Sequence, residues 1–302
     1  NALRCSFMGF PNWGGDVGGY LGDNGWEPEQ LYRRWLQFGA WCGLFEIKID
    51  GAGGSGNNRA PWRYGETLQH SFRKACEERM ELAPYFYSLL NTSFVNGVLM
   101  KPLAYVYPED PNTYSIWDEF LCGTSFLVVP ILNEDSVRTF YLPEGVWYNW
   151  YNLNESQQGA RSLTTALTNE HIPVYVKEGS VFVTGNNWLI GNWLNWKKNT
   201  APSLTIHIFP TEKNMESSFH YVDFYDNDSL KTIQVTHNAS TTEISFPPLG
   251  SDGKIIFYNI SKSGSVTLNG KPSNLRYDKK QSAGILSFKK EVPYKVVIKN
   301  SK

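Results

Sequence analysis

The residues of this sequence best suited to chemistry lie in a short glycine-rich segment near its beginning. Residues 14–20 read Gly-Gly-Asp-Val-Gly-Gly-Tyr, and Trp13 comes directly before them. Glycines let a backbone turn sharply and let a ligand approach closely. Asp16 offers a charged acceptor for hydroxyl groups, and the rings of Trp13 and Tyr20 offer flat apolar faces. Together these residues are what a sugar-binding site needs, whereas a glycine-rich turn alone is common in loops.

The elements around this segment alternate between strand and helix patterns. Residues 5–10 are apolar and predict a buried parallel strand that ends at the glycine turn. A helix is predicted to begin near Pro28, because proline and acidic residues suit a helix amino terminus. Residues 41–50 predict a second strand, and residues 66–90 predict one long helix with an apolar face. This order resembles the end of a (β/α)8 barrel, whose active site lies on the loops after the strands.

The residue pattern of the sequence changes after about residue 117. Short β-rich segments then alternate with Gly, Pro and Asn, a pattern typical of antiparallel β-sandwiches, and residues 184–200 predict a seam between two of them. The predicted fold class is α/β plus all-β, with the last two βα units of a (β/α)8 TIM barrel followed by two antiparallel β-sandwich domains. The predicted domains are residues 1–117 for the barrel part, 118–200 for a proximal sandwich and 201–302 for a distal sandwich. The predicted strands are residues 126–130, 138–142, 146–151, 172–176, 204–209, 219–225, 232–236, 244–246, 254–258, 285–288 and 294–298.

The composition argues against several classes of partner. The 302 residues carry a net charge of -1, whereas a protein that binds nucleic acid usually has a basic face. No apolar run reaches the roughly 18 residues needed to cross a bilayer, so no membrane partner is expected. Five Asn-x-Ser/Thr triplets favour a secreted or other extracytoplasmic location. A chain rich in these residues carries about that many by chance, so the location stays open.

Cysteine and histidine residues do not form a recognisable site in the sequence. Cys5, Cys42, Cys76 and Cys122 lack CxxC spacing, so we expect buried free thiols rather than a zinc or redox site. The five histidines are dispersed without metal-ligand spacing. No Gly-x-Ser-x-Gly elbow or paired Cys/His context indicates a serine or cysteine hydrolase.

Several motifs, in chain order, resemble the C-terminal part of the family 31 glycoside hydrolases, the α-glucosidase and α-xylosidase family. Residues 6–20 resemble the segment at the seventh barrel strand, and residues 31–40 resemble the helix after it. Residues 59–62, Arg-Ala-Pro-Trp, are similar to an Arg-Glu-Pro-Trp motif after the eighth strand. Arg79 with residues 83–88 resembles the last barrel helix. The later matching segments are residues 120–130, 141–150 and 172–180 of a proximal sandwich and residues 224–228 of a distal one.

The resemblance implies retaining hydrolysis of α-linked sugars. Retention needs two carboxyl groups about 5–5.5 Å apart, one as nucleophile and one as acid/base. In the family both are aspartates on earlier barrel strands, and no residue of this chain matches either motif, so no catalytic acid is nominated. We therefore expect the chain to be an incomplete part of an enzyme whose remaining N-terminal part is its partner. An oligosaccharide or other α-glycoside is the expected substrate, and the chemistry requires no metal or organic cofactor.

The resemblance also points to five candidate substrate-binding residues. Asp16 matches a family aspartate that lines the subsite for the sugar to be cleaved, and Tyr20 matches an aromatic residue on its wall. Trp13 is predicted to face either this pocket or the barrel interior. After the eighth strand the family usually has Arg-x-His, where this chain has Glu46 and Lys48. Both changes alter charge and hydrogen-bonding geometry.

These candidates leave alternatives open. Asp16 is also suited to stabilising a turn, Tyr20 to packing in a core, and charged side chains on a loop are often just solvated. The departures after the eighth strand argue against assuming glucosyl specificity, and another α-glycoside, such as a xyloside or galactoside, stays open. Two functions survive: an α-glycosidase or a relative that transfers the sugar, and a non-catalytic carbohydrate-binding or support module.

Overall fold

The structure is a computed structural model that describes six stretches of the chain, which form two compact units. The described residues are 1–19, 28–47, 60–186, 203–238, 240–260 and 265–299. The first unit comprises Asn1–Arg79, Ser93–Gly145 and Gln158–Tyr175, and the second comprises Met80–Thr92, Val146–Gln157 and Val176–Lys302. Within the described stretches, no helix combines the length and apolar character that a membrane span requires.

Six α-helices and a larger set of strands make up the described residues. The α-helices are α1 (Ala2–Phe7), α2 (Glu29–Gly39), α3 (Glu66–Glu81), α4 (Ala83–Asn91), α5 (Ser93–Asn96) and α6 (Leu103–Val106). The strands are β1 (Gly14–Val17), β2 (Leu44–Ile47), β3 (Met100–Pro102), β4 (Phe120–Cys122), β5 (Phe126–Val128), β6 (Val137–Leu142), β7 (Val146–Asn149), β8 (Asn152–Gln158), β9 (Arg161–Ala166), β10 (Val174–Lys177), β11 (Val181–Asn186), β12 (Ser203–Ile208), β13 (Met215–Asp223), β14 (Ser229–Asn238), β15 (Thr241–Phe246), β16 (Gly253–Phe257), β17 (Ser265–Leu268), β18 (Lys271–Ser273), β19 (Arg276–Asp278), β20 (Ala283–Phe288) and β21 (Tyr294–Lys299). Every strand predicted after residue 117 overlaps one of these.

The strand predicted over residues 5–10 is wrong. Helix α1 takes up the first half of this segment, and the strand forms later, as β1. The backbone N–H groups of Cys5 and Met8 donate to the carbonyls of Asn1 and Arg4, at 3.0 and 3.1 Å. A strand needs a neighbouring strand for its backbone groups, and here local helical bonds satisfy them instead.

The single helix predicted over residues 66–90 is two helices, α3 and α4. Pro84 lies in the first turn of α4. Proline has no N–H, and inside a helix its ring clashes with the carbonyl four residues earlier, but the first turn tolerates it. By contrast, α2 begins directly after Pro28 as expected, and β2 falls inside the predicted residues 41–50 but is shorter.

The first unit combines one parallel strand pair with small antiparallel sheets. β1 and β2 pair in parallel, β3, β4 and β5 pair antiparallel in chain order, and β6 pairs antiparallel with β9. Its core includes Trp41, fully buried, whose ring centroid lies 5.0 Å from that of Phe126. The helix α2 contributes Phe38, which meets Phe120 edge to face at 6.3 Å.

The second unit is built on two mostly antiparallel sheets. Their strand orders are β11-β12-β16-β20-β19 and β13-β14-β15-β21-β17-β18, and only β12 and β16 pair in parallel among the described pairs. In β14, Ile233, Val235 and His237 are buried while the residues between them are exposed, the period of two that a half-buried strand shows. Helix α4 packs against β11 and β13, where Tyr85 stacks on Phe219 with ring centroids 5.6 Å apart.

Candidate functional site

The structure places two of the predicted site residues side by side. In the parallel pair β1–β2, Asp16 is the register partner of Glu46. Paired residues of neighbouring strands lie about 4.8 Å apart and point to the same face of the sheet. Both side chains are half-buried, while Val17, the next residue, is fully buried and anchors the strand. Two carboxylates therefore share one face at the carboxyl ends of two parallel strands.

The glycines after Asp16 make the turn that the sequence predicts. Gly18 and Gly19 have φ angles of +84° and +89°, a region that side chains other than glycine rarely adopt. The N–H of Gly19 donates to the carbonyl of Asp16 at 2.9 Å. The chain thus leaves the sheet immediately after β1. The predicted site residues Tyr20 and Lys48 lie outside the described residues.

A close approach of the two backbones explains the glycine at the start of β1. A Cβ atom at Gly14 would overlap the carbonyl oxygen and the Cβ of its register partner, Leu44. On the α2 side, a Cβ at Gly39 would lie 2.8 Å from Val17 Cγ2 and 2.9 Å from Phe45 Cδ2. Glycine at both positions lets α2, β1 and β2 pack at these distances, which fixes the strand that carries Asp16.

The backbone of Trp13 has a structural role, and Trp13 also lines a cavity. Its carbonyl accepts hydrogen bonds from the N–H groups of Gly43 and Leu44, at 2.8 and 3.2 Å, and so sets where β2 begins. With the two glycines after it, Trp13 lines a cavity of about 360 Å³. Neither Asp16 nor Glu46 is among the described residues that line this cavity. The structure therefore places Trp13 at a cavity apart from the carboxylate pair.

Two residues that were not predicted from the sequence line the same cavity. Trp117 and Asp118 contribute an aromatic ring and a carboxylate there, the combination that drew attention to residues 13–16. Trp117 is 40% exposed, and the carboxylate of Asp118 pairs with the guanidinium of Arg138 at 2.6 Å. The sequence contains this adjacent Trp-Asp pair. The pair lies far from Trp13 along the chain, however, so the sequence does not indicate that these residues line one cavity.

The family of this chain follows from two matches along its first 182 residues. The TIM-barrel domain model of glycosyl hydrolase family 31 matches residues 1–89, and the C-terminal domain model of the same family matches residues 96–182. The chain belongs to glycosyl hydrolase family 31. At this level the expected fold is confirmed: part of a TIM barrel is followed by the family's C-terminal domain and further, mostly antiparallel, β structure.

Similar proteins span several activities on sugars. This family 31 chain is 27% identical over 283 residues to an isomaltosyltransferase of Sporosarcina globispora, covering 89% of this chain and 25% of the relative. It is 26% identical over 296 residues to alpha-glucosidase 2 of Bacillus thermoamyloliquefaciens, covering 92% and 36%. A family 31 dextranase of Flavobacterium johnsoniae, solved with glucose, shares the fold at a TM-score of 0.82 and 22% identity, covering 99% and 41%. The chain thus spans between a quarter and little more than a third of these curated relatives.

In this family 31 chain, a half-buried arginine holds the turn that leads into β2. The guanidinium of Arg79 donates to the carbonyls of Ala40 at 3.3 Å and Gly43 at 2.8 Å, and also to that of Cys42. Burial lowers the pKa of Arg79, yet three carbonyl acceptors compensate a charge that has lost its water. Arg79 therefore positions the start of the strand that carries Glu46.

Replacing Arg79 with methionine should destabilise the first unit by about 2–4 kcal/mol. Loss of the guanidinium leaves the three carbonyls that it contacts without their charged donor, in a region largely shielded from water. Urea unfolding followed by tryptophan fluorescence measures the change. Arg73→Met is the matched control, because Arg73 lies on the same helix and is exposed. Equal unfolding midpoints for the two variants would contradict the role given to Arg79.

The two buried cysteines do not have the character of a nucleophile. None of the four cysteines forms a disulfide bond; Cys42 and Cys122 are buried, as expected, whereas Cys5 and Cys76 are only half-buried. Burial raises the pKa of Cys42 to about 12 and raises that of Cys122 further. A thiol is nucleophilic as the thiolate, so these two stay protonated and inert. Within the described stretches, no group of three or more His, Cys, Asp or Glu residues is arranged to hold a metal ion.

Proposed function

We propose that this chain supplies the floor and one wall of the sugar pocket of a retaining glycoside hydrolase that acts on α-linked glycosides and is α-glucosidase-like. The observation that carries this proposal is the register pairing of Asp16 with Glu46 at the carboxyl ends of β1 and β2. In a barrel of this type, the loops after the strands form the active site. Two neighbouring carboxylates there can accept hydrogen bonds from adjacent hydroxyls of one sugar ring.

Four of the five candidate residues have a proposed role in binding the sugar. Asp16 accepts hydroxyl hydrogen bonds of the sugar to be cleaved, and Glu46 is a second acceptor where the family usually has arginine. Tyr20 supplies an apolar face for the ring, whereas Trp13 lines a cavity apart from the carboxylate pair. Lys48 donates a hydrogen bond to a hydroxyl at the position where the family usually has histidine.

The covalent chemistry requires residues that this chain does not supply. We assign it to two aspartates on the remaining N-terminal part of the enzyme, which is the proposed partner. One attacks the anomeric carbon while the other protonates the leaving oxygen; the second then deprotonates the water that releases the sugar. Both steps pass through an oxocarbenium-like transition state. Hydroxyl contacts to Asp16 that strengthen in this state would lower the barrier.

The finer architecture is part of the same proposal. Residues 1–117 form the last two βα units of the (β/α)8 barrel, residues 118–200 a proximal β-sandwich and residues 201–302 a distal β-sandwich. The parallel β1–β2 pair supports the barrel assignment, because parallel strands joined through a helix are its repeating unit. The antiparallel sheets of the second unit support the sandwich assignment.

Transfer of the sugar to another sugar is the alternative reaction, favoured by the similarity to an isomaltosyltransferase. Both reactions share the covalent intermediate, and the acceptor that resolves it, water or a sugar hydroxyl, separates them. A third reading makes the chain a non-catalytic carbohydrate-binding or support module.

The native protein's intact mass, with an assay on a panel of aryl α-glycosides, tests the proposal. A species well above 34.4 kDa, or a second co-purifying chain, together with turnover of one glycoside, is expected. Adding an acceptor sugar then separates hydrolysis from transfer by the products formed. A lone species of the chain's own mass without turnover would overturn the enzyme proposal in favour of the support module.

A further inference from the structure

The hairpin between β13 and β14 ends in an exposed aromatic and acidic tip that the proposed pocket does not use. We call residues 224–228, Phe-Tyr-Asp-Asn-Asp, the hairpin tip. All five are exposed; Phe224 is 43% and Tyr225 37% exposed. The strand before the tip is buried at Tyr221, Val222 and Asp223. Large aromatic rings thus come to the surface directly after a buried strand.

Hydrogen bonds and ion pairs hold the hairpin tip in one conformation. The carboxylate of Asp223 is buried, pairs with Lys231 Nζ at 2.7 Å and accepts the N–H of Tyr225 at 3.1 Å. Lys231 also lies 3.2 Å from a carboxylate oxygen of Asp226. Ser229 donates to Asp226 through its hydroxyl at 2.7 Å and through its N–H at 3.0 Å. A surface fixed in this way loses little conformational entropy when a ligand binds.

Three aromatic rings meet at the hairpin tip. Phe224 lies edge to face with Tyr225 at 5.2 Å between centroids and with Tyr87 of α4 at 5.4 Å. The hydroxyl of Tyr87 donates to Asp228 Oδ1 at 2.6 Å. The tip therefore carries exposed aromatic surface with the carboxylates of Asp226 and Asp228 beside it.

We propose that the hairpin tip is a second carbohydrate-binding surface, distinct from the Asp16 pocket, for a neutral oligosaccharide chain. The choice of a sugar rests on the proposed function and on the chemistry of the tip. A pyranose ring presents C–H groups to an aromatic face and hydroxyls at its rim to carboxylate acceptors. The acidic side chains disfavour an anionic polymer, because like charges repel.

Electrophoresis of the folded 302-residue chain in native gels that contain soluble dextran or soluble starch tests this proposal. Wild-type protein should be retarded by one of the two polysaccharides. Tyr225→Ala should weaken binding to that polysaccharide by about fivefold or more. Asp228→Asn should also weaken retardation, and asparagine tolerates the left-handed backbone found there, with φ of +58°. Tyr105→Ala, which removes a 51% exposed tyrosine outside the tip, is the matched control and should migrate like wild type.

Three outcomes would overturn the proposal. These are no retardation of wild-type protein by either polymer, retardation of both Tyr225→Ala and Asp228→Asn equal to that of wild type, or loss of retardation in Asp16→Asn with the tip variants unaffected. The thermal unfolding midpoint of each variant shows that it is folded. Binding needs no turnover, so retardation of this chain does not depend on the catalytic aspartates. A complete enzyme without glycosidase activity would refute the proposed function while leaving the hairpin tip as a binding surface.

Discussion

Asp16→Ala in the complete enzyme should lower kcat/KM by about a hundredfold to a thousandfold, or about 3–4 kcal/mol, while the protein stays folded. The carboxylate sits at the end of β1 opposite Glu46, where it can accept charge-assisted hydrogen bonds from the sugar. Removing an acceptor that works mainly in the transition state lowers kcat as well as kcat/KM. Steady-state kinetics on the aryl glycoside that the wild-type enzyme turns over measures the loss.

The side chain of Asp16 is expected to matter for chemistry rather than for folding. It is half-buried, and the turn after it uses its backbone carbonyl, which alanine keeps. Glu109→Ala is the control, since Glu109 is an exposed carboxylate of the same unit. If Asp16→Ala retained kcat/KM within about twofold of this control, Asp16 would have only the turn-stabilising role.

Glu119 should make the chain less stable as the pH rises. Its carboxylate is 2% exposed, and both oxygens accept the N–H of Tyr141, at 2.9 and 3.2 Å. Burial raises the pKa of Glu119 to about 8, from an ordinary value of 4.5; the Tyr141 hydrogen bond and the charge of Arg138 oppose this shift. An acid whose pKa is raised on folding contributes stability below its unfolded pKa, and that stability is lost progressively up to about pH 8.

Glu119 should therefore lower the free energy of unfolding by about 1.4 kcal/mol per pH unit near pH 6.5 and by about half as much near pH 8, and Glu119→Gln should remove this contribution to the slope. The lower limit avoids His207, which is buried between Thr184 and Tyr258. Burial lowers the pKa of His207 to about 3, so its stabilising effect is lost mostly as the pH falls below 6.5. Urea unfolding across this range gives the slopes. The exposed variant Glu109→Gln should keep the wild-type slope, and an unchanged slope in Glu119→Gln would contradict the assignment.

The alternation of apolar and polar residues made strands of the β-rich half predictable, and its absence explains why β18 and β19 were not predicted. Strands such as β14 carry a clear period of two. Strands β18 and β19 have three residues each and no buried residue, so they carry no such period. Pro84 marks the break between α3 and α4 in the sequence, because proline is tolerated in the first turn of a helix but not in its interior.

The candidate site could be predicted residue by residue but not as an arrangement. Glycine spacing located Asp16, whereas its pairing with Glu46 depends on the register of two strands joined through a helix, which local sequence does not encode. The position of Trp117 in the cavity that Trp13 also lines depends on tertiary packing over a still longer separation. The carbonyl contacts of Arg79 are of the same kind, since they join α3 to a turn well before it in the chain.

Helix α4 has a consequence for how the protein is made. The hydroxyl oxygen of Ser88 accepts a hydrogen bond from the N–H of Val222, 134 residues later, at 3.0 Å, and Tyr85 buries its ring against Phe219. A ribosome that adds about 5–20 residues per second leaves this helix without its partner strand for roughly 7–27 seconds. Throughout that interval the apolar face of α4 is open to chaperones and to neighbouring nascent chains, so the yield of folded protein depends on synthesis rate as well as on final stability.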